Sequence, residues 1–239
     1  MPIKIGINGF GRIGRNFYRA VAKQGADMEI VAVNDLGDTA TMAHLLKHDS
    51  VHGNLPNEIN AEDSGIMIDG QMLQVLSERN PQDLPWSDLG VDVVIESTGI
   101  FTDREKANMH LEAGAPLVIV SAPANGADAT FVVGVNDSEF DKEKHTVISN
   151  ASCTTNCFVP MVQVLDDAFG VEKGLMTTVH AYTGDQSLVD GPHGDLRRAR
   201  ASAAWCARGA ARRPPARCCR GSPSRARCPP APPSSWSAR

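Results

Sequence analysis

After Leu196 the chain contains no isoleucine, leucine, valine, methionine or phenylalanine, and no lysine or acidic residue. Such a segment has little to bury, and its seven prolines oppose both a buried sheet and a long helix, so residues 201–239 are expected to form a disordered tail. Cysteine is scarce where structure is expected. Of six, only Cys153 and Cys157 precede the tail; Cys206, Cys218, Cys219 and Cys228 lie within it. That distribution excludes a disulfide framework. No apolar run is long enough to cross a bilayer, and Met1-Pro2-Ile3-Lys4 leads directly into a strand rather than a leader, so the chain reads as cytoplasmic.

The net charge of −5 averages two unlike compositions. Residues 1–196 hold all 28 acids and 12 Lys plus Arg, whereas residues 197–239 hold 11 arginines. An arginine-rich tail is suited to non-specific, salt-sensitive phosphate contacts, but its only aromatics are Trp205 and Trp236, and a nucleic-acid binder is the weakest of the functional readings. What is present is ample for a core: 239 residues, 42% of them hydrophobic, accommodate one large or two modest domains.

The opening carries the first chemical signal. Gly9, Gly11 and Gly14 stand in G-x-G-x-x-G spacing after a short apolar strand, followed by a helix-compatible run over residues 15–24 and a second strand over 29–34 that ends at Asp35. Such glycines allow a tight turn and let a pyrophosphate approach the helix N-terminus, while an acid ending the second strand bonds a ribose 2′-hydroxyl and repels a 2′-phosphate. NAD is therefore favoured over NADP. The chain then alternates strand and helix. A helix is expected over residues 39–48, begun by Asp38 or Thr39, and Asp69-Gly70 between apolar runs signals a hairpin. Strands are expected over 91–96 and 117–120 with a helix over 102–113 between them, and runs 131–136 and 145–150 complete the sheet. Ser97, Thr98 and Gly99 follow a strand at the edge where ligands bind in open parallel sheets.

The second signal is a thiol at a strand-to-helix junction, in Ser149-Asn150-Ala151-Ser152-Cys153-Thr154-Thr155-Asn156-Cys157. Unpaired N–H groups at a helix start favour thiolate, the nucleophilic form. Downstream, the alternating run 176–183 reads as a strand that presents His180 as a base. Cys153 and Cys157 with one histidine are too few ligands for structural zinc, so no metal is expected and Cys157 reads as a packed neighbour.

Taken as an ordered set, Ile7 through Arg15, Val33 to Leu36, Glu96 through Thr102, Ser121 to Pro123, Ser149 through Cys157, His180 to Thr183 and Asp195 through Arg200 resemble the phosphorylating glyceraldehyde-3-phosphate dehydrogenase family along about the first 200 residues. The resemblance implies Cys153 as nucleophile and His180 as base, with NAD held by Asn8, Gly9, Phe10, Gly11, Arg12, Ile13, Asp35, Arg79, Ser97, Thr98, Phe101 and Ser121. Thiolate attack on an aldehyde, hydride loss to NAD and attack by inorganic phosphate on the resulting thioester require two phosphate sites. Hydroxyls of Ser152, Thr154 and Thr183 and an arginine supply part of these; by resemblance the arginine is Arg198, with Arg197 and Arg200 as alternatives. The substrates implied are a phosphorylated aldehyde and phosphate, and the family assembles as a homotetramer, supported by the loop over 182–192. Gly184 stands where many relatives have asparagine, which weakens a nicotinamide contact there.

The fold expected is α/β: a Rossmann-type parallel sheet with helices on both faces over residues 1–150, then the beginning of an incomplete α+β catalytic domain over 151–200, then the tail. Where the family continues with a further phosphate site, a mixed sheet and a final helix, this chain has an Ala/Arg/Pro/Cys/Ser mixture of the kind that out-of-frame GC-rich coding sequence yields. Two readings follow within the family, an active phosphorylating aldehyde dehydrogenase or an inactive remnant that retains NAD binding alone.

Overall fold

The computed structural model describes residues 1–181 and 183, in two compact units, Met1–Ser152 and a second beginning at Cys153. The tail and Arg197, Arg198 and Arg200 lie outside the described residues.

In the first unit, β1 (Ile3–Asn8) leads into α1 (Arg12–Gln24), which ends where Gly25 takes a left-handed φ of 59°. After β2 (Met28–Asn34), α2 (Thr39–Lys47) begins because the Asp38 side chain accepts from Thr41 N at 2.8 Å, which settles the start on Asp38. Next come β3 (Ile59–Glu62), β4 (Gly65–Ile68) and β5 (Gln71–Leu76). Asp69 and Gly70, at φ 49° and 81°, make the expected two-residue hairpin between β4 and β5. The remaining α-helices and strands of this unit are α3 (Trp86–Leu89), β6 (Val93–Glu96), α4 (Arg104–Glu112, N-capped by Asp103), β7 (Leu117–Val120), β8 (Ala129–Thr130) and β9 (Val147–Ser149).

These strands form one nine-stranded sheet in the order β3-β4-β5-β2-β1-β6-β7-β9-β8. All pairs from β5 to β8 are parallel, and the β3-β4-β5 meander is antiparallel, so the sheet is mixed at one edge. Its order reverses between β1 and β6, the topological switch point at which open α/β sheets bind ligands.

Period-two alternation gives the sheet two cores. On one face Ile5, Ile7, Val33 and Ile95 pack with Phe17 and Tyr18 of α1 and Met42, Ala43 and Leu46 of α2. Ala32, Val94 and Val118 on the other face pack with Trp86 of α3 and Ala107 of α4. Gly6 is required there, since a Cβ on it would lie 2.7 Å from the Trp86 ring. Truncating a wholly buried residue such as Ile7 to alanine would cost about 2–5 kcal/mol.

Within this unit one expected strand fails to form. Residues 131–136 are not a strand; only Ala129 and Thr130 pair with β9, and the chain then turns. The Asn136 side chain closes the turn by accepting from Val132 N and donating to Thr130 O, and Gly134 takes φ 82°. Phe131 and Val132 are buried, with the Phe131 ring edge-on to Phe140 and His145, but Val133 is exposed. An apolar run therefore fills a corner rather than a ladder.

In the second unit α5 (Cys153–Phe169) is followed by irregular chain to residue 181. No helix among the described residues is long and apolar enough to cross a membrane.

Candidate functional site

The parallel strands end in a common register. Leu76, Asn34, Asn8, Glu96, Val120 and Ser149 are successive ladder partners across β5-β2-β1-β6-β7-β9. The residue just past each end repeats one bond: Asp35 N donates to Leu76 O, Gly9 N to Asn34 O, Ser97 N to Asn8 O, Ser121 N to Glu96 O, all at 2.8–3.0 Å. Sheet register thus sets Gly9, Asp35, Ser97 and Ser121 along one edge, on both sides of the switch point.

The three glycines differ in what holds them. Gly9, at φ 91°, leaves no room for a side chain, since a Cβ would lie 2.6 Å from Thr98 N. At Gly14 a Cβ would meet the Gly9 carbonyl oxygen, so this glycine lets α1 approach the strand. Gly11 has open space where its Cβ would project, and it precedes the first turn of α1, which has no side-chain cap and no acidic residue. Free N–H groups and a bare backbone are the features an anion cradle needs. Two cations flank it. Arg12, half exposed, pairs with Asp49, whose carboxyl is brought down to about 2, chiefly by the His52 backbone N–H. Arg15 donates to Phe10 O at 2.8 Å, and burial, then the neighbouring Arg12, lowers its pKa.

Asp35 is half-buried; its Oδ2 accepts from Phe10 N at 2.8 Å and its Oδ1 from Gly37 N at 3.0 Å. Ser97 Oγ donates to Gly9 O at 2.7 Å, tying the two sides of the switch point together. Of the other residues named from the sequence, Ile13 and Arg79 are exposed, and Phe101 and Ser121 are half-buried. The side chains of Asn8 and Phe10 face inward instead. Phe10 lies in the core, and Asn8 is buried in a polar row, so only their backbones border the crevice.

That row is what the sequence reading missed. Asn34 Nδ2 donates to Asn8 Oδ1 (2.7 Å), Asn8 Nδ2 to Glu96 Oε2 (2.6 Å), and Trp86 Nε1 to His110 Nδ1 (3.0 Å), with His110 Nε2 3.0 Å from Glu96 Oε2. Glu96 Oε1 accepts from Thr98 N (2.8 Å) and Thr98 Oγ1 (2.5 Å). The available signal was a glutamate closing an otherwise apolar strand. Leu36 and Ile100, exposed apolar residues just past β2 and β6, were also given no role.

In the second unit Cys153 is the first residue of α5, whose first turn has no acid to offset its N–H groups. The turn before it depends on Ala151, a non-glycine residue at φ 57°, a conformation that costs about 1–2 kcal/mol; Ala151 N donates to Ser149 Oγ, which itself donates to Ala122 O at 2.8 Å. Cys153 is an exposed free thiol, with Sγ 3.1 Å from His180 Nε2. His180 Nδ1 lies against Ala181 O, so Nδ1 carries the proton and Nε2 is free to take one from sulfur. Of the strand expected over 176–183, the described residues 176–181 and 183 form none. None of these residues has a ladder partner among the described residues, and Val179 is 92% exposed. His180 reaches the thiol from irregular chain. Cys157, expected to pack, is exposed. Thr154 and Ser152 are half-buried and Thr183 is exposed. Among the described residues no three His, Cys, Asp or Glu side chains cluster as a metal site requires.

Comparison with known proteins finds a match in both parts of the chain. Residues 3–104 match the family described as glyceraldehyde 3-phosphate dehydrogenase, NAD binding domain, and residues 152–206 match glyceraldehyde 3-phosphate dehydrogenase, C-terminal domain, so the likeness reaches somewhat beyond Arg200. The chain is 62% identical over 203 residues to the glyceraldehyde-3-phosphate dehydrogenase of Streptomyces coelicolor, covering 85% of this chain and 60% of that protein. To the enzyme of that name from Geobacillus stearothermophilus it is 57% identical over 203 residues, with the same coverage, and to that of Mycolicibacterium smegmatis 60% over 210 residues, covering 85% and 62%. The chain spans about 60% of the length of these curated relatives.

Proposed function

Because the chain belongs to the glyceraldehyde-3-phosphate dehydrogenase family, we propose that its two units serve one reaction, the NAD-dependent oxidation of glyceraldehyde 3-phosphate with inorganic phosphate to an acyl phosphate. The observation that carries this reading is the 3.1 Å approach of Cys153 Sγ to His180 Nε2 at the start of α5. The glycine turn fits a dinucleotide on its own geometry, since only at Gly11 is the space of a side chain left open. NAD, when bound, supplies the hydride acceptor.

The chain's residues divide the remaining work. Cys153 Sγ, its proton passed to His180 Nε2, adds as thiolate to the aldehyde carbon, and the oxyanion formed takes that proton back from His180 to give a thiohemiacetal. His180 Nε2 takes the hydroxyl proton as that carbon is oxidised, leaving a thioester on sulfur. A phosphate oxygen then attacks the thioester carbon, the C–S bond breaks, and Sγ leaves as the thiolate with which the cycle began. Ser152, Thr154 and Thr183 are the candidate phosphate contacts, and Arg198 is proposed with them from the sequence. Asp35 selects NAD over NADP by repelling a 2′-phosphate. The family's homotetramer and a cytosolic location belong to the same proposal.

A second reading, NAD binding with little turnover, is favoured by α5, none of whose residues is buried and whose Phe169 is 84% exposed. One experiment separates the two. The full chain is given NAD, aldehyde and phosphate, with Cys153→Ser as control. Phosphate-dependent NADH formation that this substitution abolishes supports the first reading. NAD binding without NADH formation selects the second, and absence of both sinks each.

A further inference from the structure

The polar row beneath the strand ends has a hydrogen-bond polarity that can be read from its two termini. At one, an indole N–H can only donate, so Trp86 Nε1 fixes His110 Nδ1 as an acceptor, and the ring's proton must sit on Nε2, directed at Glu96 Oε2. At the other, Glu78 N donates to Asn34 Oδ1 at 2.8 Å, which turns the Asn34 amide so that Nδ2 donates to Asn8 Oδ1. Asn8 is thereby left presenting its own NH₂ to Glu96. Donors arrive from both directions, and the residue where they meet must be acceptor-only. Only a carboxylate satisfies that at position 96.

We propose that Glu96 is a positioning residue for the cofactor crevice, holding the Ser97–Thr98 wall against the glycine turn; this rests on the reading of the crevice as an NAD site. Its Oε2 takes the two inward donors, Asn8 and His110, and its Oε1 takes Thr98 N and Thr98 Oγ1. With its proton committed to Glu96, the Thr98 hydroxyl accepts from Ile100 N at 3.1 Å, fixing the loop beyond. The same wall presses on Gly9, whose position admits no Cβ because of Thr98 N, and is tied to it by Ser97 Oγ. Burying a carboxylate is costly, and an apolar residue could fill the same volume. What the carboxylate adds is one fixed geometry for the loop. The Trp86–His110 pair extends this control to a residue with no place in the crevice, because it sets the tautomer on which Glu96 depends.

The test is a set of calorimetric NAD affinities on the full chain: wild type, Glu96→Gln, Trp86→Phe and the double variant. Glutamine is nearly isosteric, but whichever way its amide turns its NH₂ faces donors, either Asn8 and His110 or Thr98 N and Oγ1. Glu96→Gln should weaken NAD about tenfold, the loss of roughly one well-made buried hydrogen bond. With Trp86→Phe, His110 is released to move its proton to Nδ1 and accept from the new amide, so the penalty of Glu96→Gln should fall to about threefold or less. If wild type binds no NAD, the cofactor reading fails and takes this proposal with it. Wild-type binding with an unaffected Glu96→Gln overturns the positioning role alone. An equal penalty in both backgrounds overturns the tautomer lock. Should Glu96→Gln not fold, Thr98→Val removes one of the same donors from the crevice side; about threefold weaker NAD is expected, and unchanged affinity rejects the proposal.

Discussion

Sγ of Cys153 lies 3.1 Å from Nε2 of His180, and the other ring nitrogen of His180 is committed to the carbonyl of Ala181. The imidazole therefore offers a lone pair, not a proton, to the neutral thiol, which is the arrangement for withdrawing the thiol proton. His180→Gln should slow alkylation of Cys153 by iodoacetamide at neutral pH about tenfold. The rate must be followed by peptide-resolved mass spectrometry, because Cys157 is also exposed and four more cysteines follow it. Equal Cys153 rates in the two proteins would show that His180 does not activate the thiol.

How much of this was legible beforehand depends on the range of the interactions involved. The glycine turn, a helix start at Asp38 or Thr39 and the Asp69-Gly70 hairpin are short-range features readable from spacing, although the choice of Asp38 as the cap came from the structure. The row through Asn8, Asn34, Glu96 and His110 was not, because it exists only once β1, β2 and β6 share a register and α4 lies on one face of them. Residues 131–136 and 176–181 form no strand for a related reason. Alternation or an apolar run describes a strand only if a partner is there to pair with its backbone. Phe131 had a corner to fill instead, and Val179 has no ladder partner among the described residues.

Gly11 and Gly14 should respond oppositely to alanine. At Gly14 the new methyl meets the Gly9 carbonyl and lies 3.0 Å from Ile7 Cγ2, so Gly14→Ala should destabilise the first unit by about 1–3 kcal/mol. Gly11 has φ −74° and nothing within 4 Å, so Gly11→Ala should melt like wild type. Its methyl would nevertheless stand in the space proposed for the pyrophosphate, and NAD affinity should fall at least tenfold. Paired melting curves and titrations decide this. Undiminished NAD binding by Gly11→Ala would place the dinucleotide elsewhere.

Asp35 holds the Phe10 amide through one oxygen and the Gly37 amide through the other. Asparagine can keep at most part of this, and it removes the charge that would repel a 2′-phosphate. Asp35→Asn is expected to weaken NAD several-fold while improving NADP, so that the ratio of the two affinities drops by about tenfold. Competition titrations with both dinucleotides measure that ratio. An unchanged ratio would mean that the discrimination comes from another group.

Asp128 supplies the pH dependence. Burial alone would raise its carboxyl, but hydrogen bonds from Val147 N, Arg104 and Thr146 outweigh that and bring it to about 2 from an ordinary 3.8. Through Oδ2 it accepts from Thr146 N and Val147 N at 2.9 Å, and through Oδ1 from Arg104 Nε at 2.9 Å, joining the start of β9 to α4. A carboxyl whose pKa is lowered on folding stabilises the fold above its unfolded pKa, and that contribution is lost as pH falls from about 4 through about 2. Solvent screening reduces it to about 1 kcal/mol at neutral pH. Asp128→Asn should therefore lower the melting midpoint by about 3 °C at pH 7, with the gap closing as both proteins are taken below pH 3. A gap that stays constant down to pH 2 would assign the loss to packing rather than to the charge of Asp128.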